Sequence, residues 1–206
     1  MANNESYEID YYENGPAMIY YYENGNVQRK KYFFNNKLHN KNGLASIIDY
    51  YENGNIQCKR YYFNGKLHNE NGPAEIWYYN NGTINQEFWY NNGKLHNENG
   101  PAEIYYYENG NKYCEEYYVN NKIHREDGPA EIYYFNDNDS SISREEYYLN
   151  GEFVMTGKEV EKYINSTKPI KVRTTNKLKI LYNVCEARNL EDKVEELGRK
   201  LLLKTL

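Results

Sequence analysis

The chain has 206 residues, with 30 acidic against 25 basic side chains and a formal net charge of −5. Aromatic residues make up 17% of it and 26 residues are Tyr. That is too many rings for a disordered chain and too little Leu, Ile and Val for a large aliphatic core. No run of about 18 apolar residues that would span a membrane occurs, and the polar opening MANNESYEID does not read as a secretory signal. Three scattered cysteines, Cys58, Cys114 and Cys185, predict reduced thiols in a cytosolic setting.

Residues 1–156 are governed by a repeat. A Gly-x-Ala step recurs at Gly15, Gly43, Gly72, Gly100 and Gly128, with spacings of 28, 29, 28 and 28 residues. His39, His68, His96 and His124 each lie four residues before one of these glycines. The first unit has no Lys-Leu-His segment ahead of it and reads as a starting cap. In the second, Ala45 and Gly54 are nine residues apart where eight is the rule. The extra residue is therefore assigned to ASIIDYYENG, as a β-bulge or a longer turn. In the fourth unit, Ala102–Tyr107 is rich in β-branched and aromatic types and reads as a strand. Asn109-Gly110 turns the chain, Lys112–Val119 is the return strand, and Asn120-Asn121-Lys122 leads out of it. Of the 14 glycines, 11 follow Asn, a density of turn signals that predicts a hairpin array. The fifth unit is degenerate, with Asn136–Ser141 replacing the Asn-Gly turn, as an outermost repeat allows. Five units predict about ten strands in a single open, twisted antiparallel sheet, mainly β in class.

Alternation gives the sheet two faces. Ala, Ile and Tyr (Ala102, Ile104, Tyr106 and their equivalents) form the expected core face. The wetter face is expected to carry the glutamates together with Trp77, Tyr79, Tyr105, Tyr107, Tyr133 and Phe135. Tyr can bury its ring and keep its hydroxyl in water, so these six are the candidate partner-binding residues.

From Gly157 the pattern changes to helical spacing, and 12 basic residues face 7 acidic ones, so the tail is +5 against −10 for the array. Residues 157–206 are predicted to form an α-helical segment that caps the last strand. Its charge also suits docking, or homodimerisation through the C-terminal helices.

The string NGKLHNENGPAEI at residues 92–104, nearly repeated at 64–76, resembles the MORN-variant repeats, as do the Tyr-Tyr-Glu-Asn-Gly turns at 11–15, 21–25, 50–54 and 106–110. More narrowly, it is similar to repeat proteins that giant DNA viruses of the mimivirus group encode in many copies. The resemblance covers about residues 11–206. It implies an array used for protein contacts in the host cytoplasm or virion, and related bacterial proteins are labelled antitoxin components.

Enzyme chemistry finds little footing. One His per unit puts equivalent imidazoles about 9–10 Å apart, two strands away, while zinc needs each ligand at about 2 Å. The histidines and Gly72, Gly100 and Gly128 are therefore read as structural, with no metal and no cofactor. Glu115-Glu116 and Glu145-Glu146 are adjacent on their strands, point to opposite faces and read as solvated charge. No nucleophile elbow or phosphate loop occurs. An array at −10 repels nucleic acid. The expectation is a non-enzymatic scaffold for an unidentified protein partner; the alternatives are a carbohydrate-binding aromatic array and an antitoxin-like binding protein.

Overall fold

The structure, a computed structural model, describes residues 7–12, 15–39, 43–137, 139–156 and 158. The predicted helical cap and dimerisation element lie outside the described residues, apart from Lys158. Strand β1 (Tyr7–Tyr12) precedes the first unit, which supplies β2 (Gly15–Tyr21), β3 (Val27–Phe34) and β4 (Lys37–Leu38). The second unit supplies β5 (Ile47–Tyr50), β6 (Ile56–Arg60), β7 (Tyr62–Phe63) and β8 (Lys66–Leu67). The third supplies β9 (Glu75–Tyr78), β10 (Ile84–Phe88), β11 (Tyr90–Asn91) and β12 (Lys94–Leu95). The fourth supplies β13 (Glu103–Tyr106), β14 (Lys112–Glu116), β15 (Tyr118–Val119) and β16 (Lys122–Ile123). The fifth supplies β17 (Glu131–Tyr134), β18 (Ile142–Leu149) and β19 (Glu152–Thr156).

These strands build one open antiparallel sheet in the order β1-β2-β3-β5-β6-β9-β10-β13-β14-β17-β18-β19, with β4 joined to β3. The hairpin array is as expected, lengthened at its ends by β1 and β19. The return strand is shorter than predicted, because it does not run on to Val119. In each middle unit one residue leaves the ladder: the N–H groups of Tyr61, Trp89 and Tyr117 donate to the carbonyls of Ala74, Ala102 and Ala130 at 2.7–2.8 Å. The carbonyls of these three then accept from His68, His96 and His124 N–H at 3.0, 2.9 and 2.8 Å. Beyond this joint the chain makes a second, short hairpin. Successive short hairpins are bonded too: Gly65, Gly93, Asn121 and Gly151 N–H donate to Leu38, Leu67, Leu95 and Ile123 carbonyls.

Asn-Gly serves two different turns. In the short hairpins both residues have positive φ, as at Asn92 (51°) and Gly93 (81°), the type I′ geometry that suits strand twist. In the four long hairpins that turn on Asn-Gly only the glycine does, as at Gly82 (89°); in the fifth, Ser140 has positive φ (52°). There Gly82 N–H donates to Tyr79 O and Tyr79 N–H to Thr83 O, each at 2.9 Å, a type I turn closed by a left-handed glycine. Every long hairpin also carries a β-bulge, with the register shift at Tyr20/Tyr21, Asp49/Tyr50, Ile84/Gln86, Tyr105/Tyr106 and Tyr133/Tyr134.

The assignment of the extra residue to ASIIDYYENG is overturned. Ser46, not Ala45, holds the repeat position, since Tyr32 N–H donates to Ser46 O as Tyr61 N–H does to Ala74 O. The turn at Tyr51–Asn55 has the same bonds as the others, so the insertion sits between His39 and Ser46. Ser46, Ala74, Ala102 and Ala130 are fully buried. The core is therefore a line of small residues where long and short hairpins meet, and the described residues enclose no thick aliphatic interior.

Candidate interaction surface

Pairing register converts single residues into rows across the sheet. Trp77, Tyr105 and Tyr133 share a row in which Cys58 pairs with Trp77, Gln86 with Trp77 and Tyr105, Cys114 with Tyr105 and Tyr133, and Arg144 with Tyr133. This face was expected to be the wetter one, yet Cys58, Cys114 and Asp49 on it are 0%, 1% and 5% exposed. It is still less dry than the Ile face, where Ala74, Ala102 and Ala130 are fully buried and Ile104 and Ile132 are each 8% exposed. Its polar groups tolerate burial because they are bonded to one another. Trp77 Nε1 donates to Glu75 Oε1 at 2.9 Å, Arg60 bridges Asp49 and Glu75, and the Arg60 guanidinium lies 4.9 Å above the Trp77 ring.

Tyr79 and Tyr107 stand at the turn end of this face and join units. The hydroxyls of Tyr22, Tyr51, Tyr79 and Tyr107 donate to the Tyr50, Tyr78, Tyr106 and Tyr134 carbonyls at 2.6–3.1 Å. Phe135 takes the same place in the fifth unit, has no hydroxyl, and is 56% exposed. Tyr113, a residue sequence reasoning passed over, is 43% exposed at the bulge of the fourth unit. Its ring contacts Tyr107 and Tyr133 edge-on, at 5.2 and 5.9 Å. The bulge position in the other units holds Gln28, Gln57, Asn85 or Ser143, so the aromatic cluster belongs to the last two units alone. Ile142, 51% exposed, adds an aliphatic group beside Tyr134, its cross-strand partner.

A second row runs alongside: Arg60, Glu75, Phe88, Glu103, Glu116, Glu131 and Glu146 are successive cross-strand partners, ending at Thr156 on β19. Four glutamates on four consecutive strands thus face one another. Tyr105, Tyr118 and Tyr148 hydroxyls donate to Glu103, Glu116 and Glu146 at 2.6, 2.9 and 2.9 Å. Arg144 pairs with Glu146 at 2.7 Å. Burial, then the neighbouring Glu116, pushes the Glu131 carboxyl up to about 7. Burial likewise raises Glu103.

The opposite face shows the same division. Lys30 and Lys59 lie over the Tyr50 and Tyr78 rings, whereas Tyr106 and Tyr134 hydroxyls donate to Glu87 and Glu115 at 2.7 and 2.8 Å. Glu115, read as solvated, is 7% exposed and ion-paired with Lys112. Residues 15–71 hold 8 basic and 4 acidic side chains (+4), and residues 100–156 hold 4 and 12 (−8). The array is polarised along its length, which neither the total charge nor the repeat period reveals.

The histidines are structural joints. His68 and His124 Nδ1 accept the N–H of Asn92 and Asn150 at 3.3 and 3.1 Å, tying these two loops to the next short hairpin, whereas His39 and His96 Nδ1 are buried without a hydrogen-bond partner among the described residues. The Nε2 atoms of His68 and His124 face Glu70 and Glu126 at 3.8 and 3.2 Å, and His96 Nε2 faces Glu98 at 3.6 Å. Open grooves of about 510 and 520 Å³ lie between consecutive loops, one lined by His96 and His124, the other by His68 and His96. Among the described residues no group of three or more His, Cys, Asp or Glu could hold a metal ion. Gly72, Gly100 and Gly128 sit in these loops; Asn69 and Asn97 brace two of them by donating to the Pro73 and Pro101 carbonyls. Among the described residues no helix is long and apolar enough to cross a membrane.

Fold and surface together define the class: an open antiparallel hairpin-repeat sheet with an aromatic, acidic end. No family model matches the chain, and no curated protein matches it.

Proposed function

We propose that the chain is a non-enzymatic repeat scaffold that binds a protein partner through the rings of Tyr107, Tyr113, Tyr133 and Phe135, and that it is a giant-virus protein of the infected cell or virion. One observation carries the reading: large rings are exposed at one end of the array, Phe135 56% and Tyr113 43%, with Tyr113 edge-on to Tyr107 and Tyr133. Rigid aromatic anchors dominate protein interfaces because they bury much area at little entropic cost. The rest of the Tyr row spends its hydroxyls between units and holds the surface in shape.

The test is affinity purification from infected host cells with the wild-type chain and with Tyr113→Ser/Phe135→Ser. A protein retained by the wild type and lost by the variant supports the reading. Equal recovery by both, with the variant folded by circular dichroism, overturns it.

A further inference from the structure

We infer that a pocket between the first and second units binds a phosphoryl group, as free phosphate or on a small phosphate ester. The inference does not depend on the partner proposed above, whose surface lies at the other end of the array. The pocket has a volume of about 220 Å³ and its lining includes Arg29, Lys31, Gln28, Gln57 and Asp49, with the Tyr20 and Tyr22 rings beside them. Register explains why it forms here. Arg29 pairs with Tyr20 on β2 and Asp49 on β5, as Cys114 pairs with Tyr105 and Tyr133 in the last two units. Gln28 therefore holds the place of Tyr113, and Lys31 the place of Glu116. Tyr113 packs its ring against Tyr107 and Tyr133. The slimmer Gln28 leaves that space open, and the substitutions beside it turn an aromatic, acidic site into a cationic one.

The polar groups of the pocket are mostly donors. Arg29 gives its Nε–H to Asp49 Oδ1, and among the described residues no hydrogen bond engages its two terminal nitrogens. Lys31 Nζ lies 4.8 Å above the Tyr20 ring and 3.5 Å from the Tyr20 hydroxyl. The Gln28 and Gln57 side-chain amides have no hydrogen-bond partner among the described residues. Asp49 is the one carboxylate in the lining, and it is already engaged: Oδ1 accepts from Arg29, and Oδ2 accepts from Arg60 at 2.7 Å. A cationic ligand would meet Arg29 and Lys31, and an apolar one would strip water from four polar groups without replacing it. A carboxylate offers two oxygens, whereas a phosphoryl group offers three strong acceptors and up to two charges, and arginine binds it through paired N–H donors. The donors stand on β3 and β6, about 10 Å apart across β5, a gap these long side chains span. The bound group would sit above Asp49, whose charge the two arginines balance. Tyr22 gives its hydroxyl to the Tyr50 carbonyl at 2.6 Å, so its ring is a fixed wall for the carbon part of an ester. Gln28 is exposed, so the pocket is reached from solvent.

The test is a titration of the full, nitrogen-15-labelled chain with inorganic phosphate and, separately, with phenyl phosphate, at an ionic strength held constant with chloride and followed by NMR. The expected result is a saturating shift of the Arg29 Nε–H signal and of the Gln28 and Gln57 side-chain amides. Tighter binding of phenyl phosphate assigns an ester that uses the Tyr22 wall; equal binding assigns free phosphate. Arg29→Gln and Lys31→Gln are each expected to weaken binding about tenfold or more, the loss of one hydrogen bond to a charged group. Asp49 keeps its pairing with Arg60 in both variants. Gln28→Tyr retains both cations and supplies the ring that Tyr113 brings to the fourth unit, and is expected to abolish binding by filling the space. Shifts that rise linearly without saturating for both probes would reduce the effect to screening and overturn the inference. Saturating shifts that persist unchanged in Lys31→Gln and Gln28→Tyr would place the site elsewhere and overturn it as well.

Discussion

A tyrosine hydroxyl in this protein is a fastener between units. Tyr79→Phe removes the bond to the Tyr106 carbonyl and is expected to cost about 1 kcal/mol, measured as a shift in urea midpoint. Phe135→Tyr, at the end of the same row, is expected to change stability by less than about 0.5 kcal/mol, as surface substitutions do. Glycine at the long turns is needed for backbone angle alone. Gly110 has φ +90° with nothing within 4 Å of an added Cβ. Gly110→Ala is therefore expected to cost about 1–2 kcal/mol from left-handed strain without a clash. Cys58 and Cys114 are sealed in the sheet, and burial pushes both thiols up, so the reactive thiolate is suppressed. Iodoacetamide is expected to leave both unmodified in the native protein and to label both in urea, read by peptide mass.

At the scale of the element, the carboxylate row couples folding to pH. The Glu131 carboxyl titrates near 7 when folded, against 4.5 ordinarily, so between these values the folded state holds a proton that the unfolded chain has lost. Stability is therefore fully favoured below about pH 4.5 and falls as pH rises through 7. Amide protection in β17 and β18 is therefore expected to fall as pH rises from about 5.5 to about 7.5, read by exchange mass spectrometry. Glu131→Gln, which keeps the shape and removes the charge, is expected to flatten the dependence. The two uses of Asn-Gly belong at this scale too. A short hairpin whose residues both take positive φ tolerates Asn at Asn121 (φ 66°) in place of glycine, because a short polar side chain tolerates that region better than others do.

For the whole molecule, contact is between neighbouring strands and neighbouring units, so stability is a sum along a line. The fully buried Ala102 lies at the seam between the third and fourth units. Ala102→Asp would bury an unpaired charge there, and is expected to split the single urea transition into two, monitored by tyrosine fluorescence and exchange mass spectrometry together. The charge gradient acts at the same scale. The +4 of residues 15–71 and the −8 of residues 100–156 lie at opposite ends of one strand order. Partners of either sign therefore meet different ends of the same sheet.

Much of this architecture is dictated locally and is readable from residue order. Asn-Gly spacing gives hairpins, period-two alternation gives faces, and a 28-residue period stacks like on like. One His per unit falls in a row, so no imidazole cluster forms among the described residues. The features hidden from residue order depend on which strand lies opposite which. A bulge in every long hairpin is invisible to alternation, and the joint at Tyr61, Trp89 and Tyr117 is set by bonds to the next unit. Ser46 takes a repeat place that the Gly-x-Ala pattern assigned to Ala45, because a hydrogen-bonding position is defined by its partner and not by its letter. The carboxylate row likewise exists only through register: Glu103, Glu116, Glu131 and Glu146 are distant in the chain and meet because cross-strand pairing brings Cβ atoms to about 5 Å. Residue order alone determined the repeating hairpin, since turns and alternation are short-range. The burial of the glutamate face and the facing of its four carboxylates were decided only by the assembled sheet, because electrostatics and desolvation depend on distances in space.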